Sequence, residues 1–467
     1  MTGTSSIPPS DKPQPGSWEL SLLGGSAACM AMLLVFDLLP MVAGRWLFAL
    51  SVGATVFLEL RFQRPLFLVS PIFLLGAVSG IAFSIVPVTG HWLLDRLLPI
   101  DETGNLFWVA FRPTAAAYIG DISERVVLVF AFVCVAVYVL LRVKVQRSET
   151  RLFPALADRP VRWLIGCSVL YTLAFLLLGM GFISPIPGEG VLKTAFGPVQ
   201  SIVFIYLLHI ALTGDRVRLA LPLTVGALAF AAMFSVHYGK IPMFIMFAGV
   251  LYAVFVRANR RMFWQALVLT PVLLILAFQL VQTVRKPDNS IISSERSSLV
   301  SAAEVVSAKV IWRQMETGYC LHNVVKQHGD NRFALADQFF WIEILIPRLI
   351  WPDKPDFSLG SVYAHQYCSV RKGGYHSASI TLLGQPIIKG GFVGALVHGA
   401  IVICLLTLLG VLAQASVAGR VFIMALLPWW FDFDQDFAIY VGNLVKFSLT
   451  MLPVFLFTLL GPKQNTS

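Results

Sequence analysis

Apolar residues run along most of this chain in stretches of roughly 20, separated by short polar connections. Lipid leaves backbone N–H and C=O groups no outside partner, so each such stretch is expected to cross as a helix. The pattern predicts twelve spans: Trp18–Leu39, Met41–Leu60, Leu66–Val86, Arg125–Leu141, Trp163–Ile183, Pro198–Leu212, Leu219–Ser235, Pro242–Val256, Phe263–Val284, Gly390–Ala413, Val421–Phe431 and Ile439–Leu460. The sixth to eighth and the eleventh are short. One connection, residues 285–389, is too long to be structureless and is expected to fold. Inside it, Ala303–Gln327 has helical spacing, with Val306 and Val310, then Met315 and Tyr319, on shared faces. Phe339–Ile350 is apolar but too short to span, so it reads as an interfacial or re-entrant helix that stops at Pro352.

Composition agrees with this picture. Hydrophobic residues make up 57% of the 467 and charged ones only 13%, against about 25% charged in soluble domains. The mean hydropathy is +0.77. The net charge of +10 matters through its placement. Arg61 and Arg64, the run from Arg142 to Arg162, Arg216 and Arg218, and Arg257, Arg260 and Arg261 all follow even-numbered spans. After the third span, Asp95, Asp101, Glu102, Asp121 and Glu124 outweigh Arg96 and Arg112. The positive-inside rule then places both termini in the cytoplasm and residues 285–389 outside. The excess of positive charge records topology, so nucleic acid is not an expected partner. The start, rich in Pro8, Pro9, Pro13 and Pro15, lacks a basic segment followed by a short apolar core. It reads as a disordered cytoplasmic tail rather than a cleavable signal, and residues 461–467 read as a second tail.

Candidate chemistry gathers on the outer side. In Ile346-Pro347-Arg348-Leu349-Ile350-Trp351-Pro352-Asp353-Lys354-Pro355, prolines stiffen the backbone around two cations beside a tryptophan suited to the headgroup layer. Arg348 offers a bidentate fork for phosphate and Lys354 a point charge; both would equally anchor a helix end to headgroups. Arg285 and Lys286 leave the ninth span at the same level, and Arg371 and Lys372 precede Gly373-Gly374. Glu343 sits in an apolar run as a candidate base or as an ion-pair partner of Arg348 or Lys354. His376 and His365 titrate near neutral pH and are alternative bases or bystanders. Asp432, Asp434 and Asp436 alternate, so an extended backbone would put them on one face to hydrogen-bond sugar hydroxyls or hold a cation; a solvated acidic turn is the plainer reading. Cys320 and Cys368 lie in the external connection, where they are expected to form a disulfide; with His322 and His365 they could instead ligate zinc. The remaining cysteines fall in spans, and no metal or other cofactor is expected.

The Pro-Arg-x-x-Trp-Pro-x-Lys-Pro stretch resembles the signature region of Wzy-type O-antigen and exopolysaccharide repeat-unit polymerases. The run Ser377-Ala378-Ser379-Ile380-Thr381-Leu382-Leu383-Gly384-Gln385, followed by Gly390-Gly391-Phe392-Val393-Gly394, is similar to their small-hydroxyl run and Gly-x-x-Gly, with Gln385 in place of the usual Glu. His237-Tyr238-Gly239-Lys240 stands where such chains often carry a Gly-x-Arg, so the resemblance makes Lys240 a further cation. It implies a membrane glycosyltransferase of the GT-C superfamily in the bacterial inner membrane. Such an enzyme moves a growing glycan from undecaprenyl pyrophosphate to another lipid-linked repeat unit, sometimes with a chain-length regulator as partner. The pyrophosphate would then meet Arg348, Lys354, Lys240, Arg285 and Arg371, and Glu343 or His376 would serve the acceptor hydroxyl. An O-antigen ligase shares the architecture. A lipid-linked oligosaccharide flippase also suits twelve spans, although no internal repeat is evident.

Overall fold

The computed structural model describes residues 17–61, 65–90, 117–145, 161–179, 189–214, 218–235, 241–257, 261–270, 299–346, 351, 353–355, 359–368 and 378–459. Lys240, Arg285, Arg348, Arg371 and His376 therefore lie outside the described residues. All described regular structure is helical. The helices are α1 (Ser17–Val35), α2 (Met41–Arg61), α3 (Pro71–Gly80), α4 (Ile122–Val145), α5 (Val161–Gly179), α6 (Glu189–Thr213), α7 (Ala220–Ser235) and α8 (Ile241–Arg257). A ninth piece, α9, covers 261–270. Then come α10 (Leu299–His328), α11 (Ile342–Leu345), α12 (Gly360–Tyr367), α13 (Thr381–Ala415), α14 (Val417–Ala425), α15 (Leu427–Trp430) and α16 (Phe437–Leu459).

Six described helices are long and apolar enough to cross a membrane, and four shorter apolar ones accompany them. Twelve full spans are not what the described residues display. Residues 271–284 of the ninth expected span fall outside them. The eleventh becomes α14 and α15, a short pair divided at Leu426 next to Pro428. The expected helix over Phe339–Ile350 is, as far as residue 346, a 3-10 turn, Leu335–Phe339, and the single turn α11; residues 347–350 lie outside the described residues. Ile346 is already extended ahead of Pro347, as a residue preceding proline prefers. By contrast, the expected helix over Ala303–Gln327 is present as α10.

Two buried ion pairs tie the first helices together. Arg45 of α2 donates from Nε and Nη2 to Glu124 of α4, both at 2.6 Å. Glu124 also accepts from Ser84 Oγ at 2.6 Å and from Gly120 N at 2.7 Å. Ser84 belongs to a π turn, Ile81–Ile85, that continues α3. The wider turn releases the Phe83 carbonyl to accept from Tyr118 OH at 2.6 Å. Near the other ends of the same helices, Glu59 accepts from Phe67 N at 2.9 Å and from the Tyr138 hydroxyl, and pairs with Arg142 Nε at 3.4 Å. Charges this deep persist only with several partners. The Arg125–Asp37 bridge at 2.6 Å joins the α1–α2 turn to the start of α4. Phe67 packs on Phe263, and Arg420 lies over Phe255, so the opposite end gathers Arg61, Arg257, Arg261 and Arg420.

Helix α13 is two helices in one. Gly390 (φ −160°, ψ 24°) and Gly391 (φ 60°, ψ −154°) break it, and the chain doubles back. A Cβ on Gly394 would lie 2.4 Å from the Pro386 oxygen, and one on Gly399 would lie 3.8 Å from Leu383 Cδ2. Residues 381–389 thus form a buried half-helix lying against the longer arm. Its last carbonyls find donors: Asn331 Nδ2 reaches Ile388 O at 2.9 Å and Gln338 Nε2 reaches Lys389 O at 3.3 Å.

Candidate functional site

Where the acidic end of α4 meets α10 and the α13 break, the surface opens into a cleft of about 450 Å³ lined by Asp121, Ile122, His322, Val325, Lys326 and Phe392, among others. Local sequence explains Asp121. It precedes the first residue of α4, and its Oδ2 accepts from Ser123 N at 3.3 Å and Ser123 Oγ at 2.7 Å, an N-cap arrangement. The same oxygen lies 2.7 Å from His322 Nδ1. Burial alone would raise the Asp121 pKa, but the bonds from Ser123 and His322 and the charge of His322 outweigh it and leave it below the usual value.

A carboxylate on Nδ1 fixes that nitrogen as the donor and leaves the Nε2 lone pair as acceptor. Nε2 has no partner among the described residues. Tyr319, one turn earlier on α10, lies nearly parallel to the imidazole at 19°. Lys326, one turn later, is exposed. The arrangement supplies an oriented base, a cation one helical turn away, and an apolar wall from Phe392.

Helix α10 is held in place beside it. Cys320 and Cys368 form a disulfide with Cα atoms 4.7 Å apart, so their sulfurs are not available to zinc. Asn323 Nδ2 donates to Tyr367 O at 2.6 Å, and His328 Nε2 lies 3.0 Å from the Tyr367 hydroxyl. These contacts clamp α12 onto the helix that carries His322.

No protein-family model, curated protein or solved structure matches this chain.

The three aspartates do not share one face. Residues 431–436 turn between α15 and α16, with Gln435 N donating to Asp432 O, and a turn lacks the two-residue alternation of a strand. Asp434 meets Arg313 of α10 at 3.0 Å and accepts from Thr317 Oγ1 at 3.1 Å. Asp432 accepts from Gln435 Nε2 at 2.6 Å, and Gln435 in turn accepts from Asn443 at 3.1 Å. Asp436 is buried with Oδ1 unpartnered among the described residues; burial, then the charge of Asp434, pushes its pKa up to about 7. The linker also docks the half-helix: Leu382 N donates to Phe433 O at 3.1 Å, and Gln385 accepts from Ala438 N at 3.0 Å.

Lys354 is buried, and its Nζ donates to the carbonyls of Ile344 and Ile346, each at 2.7 Å. Glu343, on the single turn α11, is exposed in the chain by itself. In the sequence alone His322 stands out only as a zinc ligand and Asp121 only as an external charge. The local signal was the Asp-x-Ser cap before an apolar run; the pairing spans 201 positions and has no signature in sequence.

Proposed function

We propose that this protein is a membrane glycosyltransferase that joins lipid-linked oligosaccharide repeat units at the outer face of a bacterial inner membrane. The observation that carries the reading is the His322–Asp121 pair in a cleft where the start of α4 meets α10. In this reaction the acceptor hydroxyl gives its proton to His322 Nε2 while its oxygen attacks C1 of the donor sugar. The bond from C1 to the diphosphate breaks, and the polyprenyl diphosphate leaves with the electron pair. Asp121 keeps the imidazole oriented and balances its charge as it protonates. Cations stabilise the departing diphosphate: Lys326 in the cleft, with Lys354 and, from the sequence resemblance, Arg348, Lys240, Arg285 and Arg371. The acidic linker then serves sugar hydroxyls through Asp432 and Asp436, with Asp434 engaged by Arg313. Transfer onto a core sugar instead of a second repeat unit uses the same groups.

A transporter is the second reading. It is favoured by the unwound 431–436 linker and the broken α13, because discontinuous helices with buried acidic groups are how transporters build binding sites.

The test uses the full chain in proteoliposomes with lipid-linked repeat unit and no nucleotide. Longer glycans are expected, with rates falling roughly 10²–10⁴-fold in His322→Ala and in part in Asp121→Asn. No lengthening by the wild type, or lengthening indifferent to His322, refutes the transferase. Transbilayer movement of the lipid without lengthening assigns the transporter.

A further inference from the structure

Away from the cleft, the end of the bundle that carries Arg61 and Arg257 holds a second cluster of polar groups. Ser201 Oγ of α6 donates to Ala425 O of α14 at 2.7 Å. A Cβ on Gly249 of α8 would stand 2.6 Å from Phe204 Cε1 of α6, so the three helices pack closely. A Cβ on Gly419 would stand 2.0 Å from Leu412 O, and only glycine allows this sharp corner from α13 into α14. The corner carries Arg420 over the Phe255 ring of α8, 5.5 Å from its centroid. One turn earlier on α8, the Tyr252 ring lies 6.4 Å from Phe255, and its hydroxyl is 2.9 Å from His209 Nδ1 of α6.

The polar atoms of this cluster all end as donors. Tyr252 is buried, and among the described residues its hydroxyl meets only His209, so it donates to Nδ1. The neutral imidazole then carries its hydrogen on Nε2, which has no partner among the described residues. Arg420 is half-buried, and its charge is close enough to act on both the imidazole and the phenol. No carboxylate answers it among the described residues. A partly desolvated guanidinium without an acceptor is costly, and an anion relieves that cost.

We propose that Arg420 and His209 bind the phosphate of an anionic phospholipid between α6, α8 and α14, at the membrane face opposite the His322 cleft. The guanidinium fork matches two phosphate oxygens, and the imidazole N–H adds a third hydrogen bond. The setting fits a lipid. Exposed Trp264, at the same end, suits the headgroup layer, and basic pockets between helices on the cytoplasmic side recognise acidic headgroups. The positive-inside rule reads this end as cytoplasmic. Exposed Arg257, two residues after Phe255, repels the ammonium of a zwitterionic headgroup. The inference is independent of the transferase reading and needs only that the helices cross a membrane.

The full chain in dodecyl maltoside, titrated with phosphatidylglycerol or phosphatidylcholine and followed by native mass spectrometry, tests it. Phosphatidylglycerol is expected to bind roughly tenfold more tightly than phosphatidylcholine. Arg420→Gln should weaken it roughly tenfold, and His209→Phe by less. Arg420→Met, which keeps an apolar stem over Phe255, stands in should the Gln variant misfold. Because the charge it loses is unanswered, Arg420→Gln should melt no lower than the wild type in lipid-free micelles, yet gain less from added phosphatidylglycerol. Equal affinity for the two lipids, or phosphatidylglycerol binding untouched in the Arg420 and His209 variants, overturns the site. Inorganic phosphate or glycerol phosphate displacing the lipid at matching concentration overturns the lipid as occupant and assigns a soluble anion.

Discussion

Replacing Gly391 by alanine tests the doubled-back half-helix directly. At φ 60° and ψ −154° the backbone occupies a region that is essentially glycine's alone, worth about 1–3 kcal/mol against any other residue. A Cβ there would also stand 2.5 Å from the carbonyl oxygens of both Gly329 and Asn331. Those are backbone atoms and cannot swing aside, so the 329–331 turn must shift. That shift endangers the bonds from Phe392 N to Gly329 O at 3.0 Å and from Asn331 to Ile388 O at 2.9 Å, each worth about 0.5–1.5 kcal/mol. The expected loss is therefore about 2–6 kcal/mol, read by unfolding in mixed detergent and SDS micelles. Gly390→Ala is the control. Its φ of −160° suits any residue, and its Cβ would meet the amide end of Gln338 at 2.9 Å, a flexible group that can move. Phe392 lines the cleft, so Gly391→Ala should also slow any reaction there while Gly390→Ala does so less. Equal stability of the two variants, or a loss below about 0.5 kcal/mol for Gly391→Ala, would refute the reasoning.

Glu124→Gln removes the charge that answers buried Arg45 and should cost about 3–5 kcal/mol; a double change of Arg45 and Glu124 to methionine should recover much of it in the same assay. Reducing Cys320–Cys368, which closes a sequence separation of 48, should lower stability by about 2–4 kcal/mol; an unchanged melt under reductant speaks against the clamp. Asp436, raised to about 7 in the fold, favours folding while protonated. Its contribution is fully present below the unfolded carboxylate value, declines as pH rises, and is gone above about 7. Asp436→Asn should accordingly melt above the wild type at pH 8 and near it at pH 4, and a variant tracking the wild type across that range contradicts the buried carboxylate.

Much of the architecture is legible in the sequence because hydrophobicity acts locally and sums along the chain. The apolar runs mark the helices, Gly390-Gly391 mark the point where the expected tenth span opens, and the spacing of Val306, Val310, Met315 and Tyr319 marks α10. Short elements are less legible. The described part of Phe339–Ile350, up to residue 346, breaks into single turns and the eleventh stretch into a short pair of helices, because over one or two turns neighbouring contacts and prolines outweigh the apolar pattern. Which polar side chains meet was decided only in three dimensions. His322 finds Asp121, Arg313 claims Asp434 from its neighbours, and Lys354 reaches back to the carbonyls of Ile344 and Ile346. Each pairing depends on how rigid helices stack and rotate against one another, a long-range geometry that no run of residues encodes by itself.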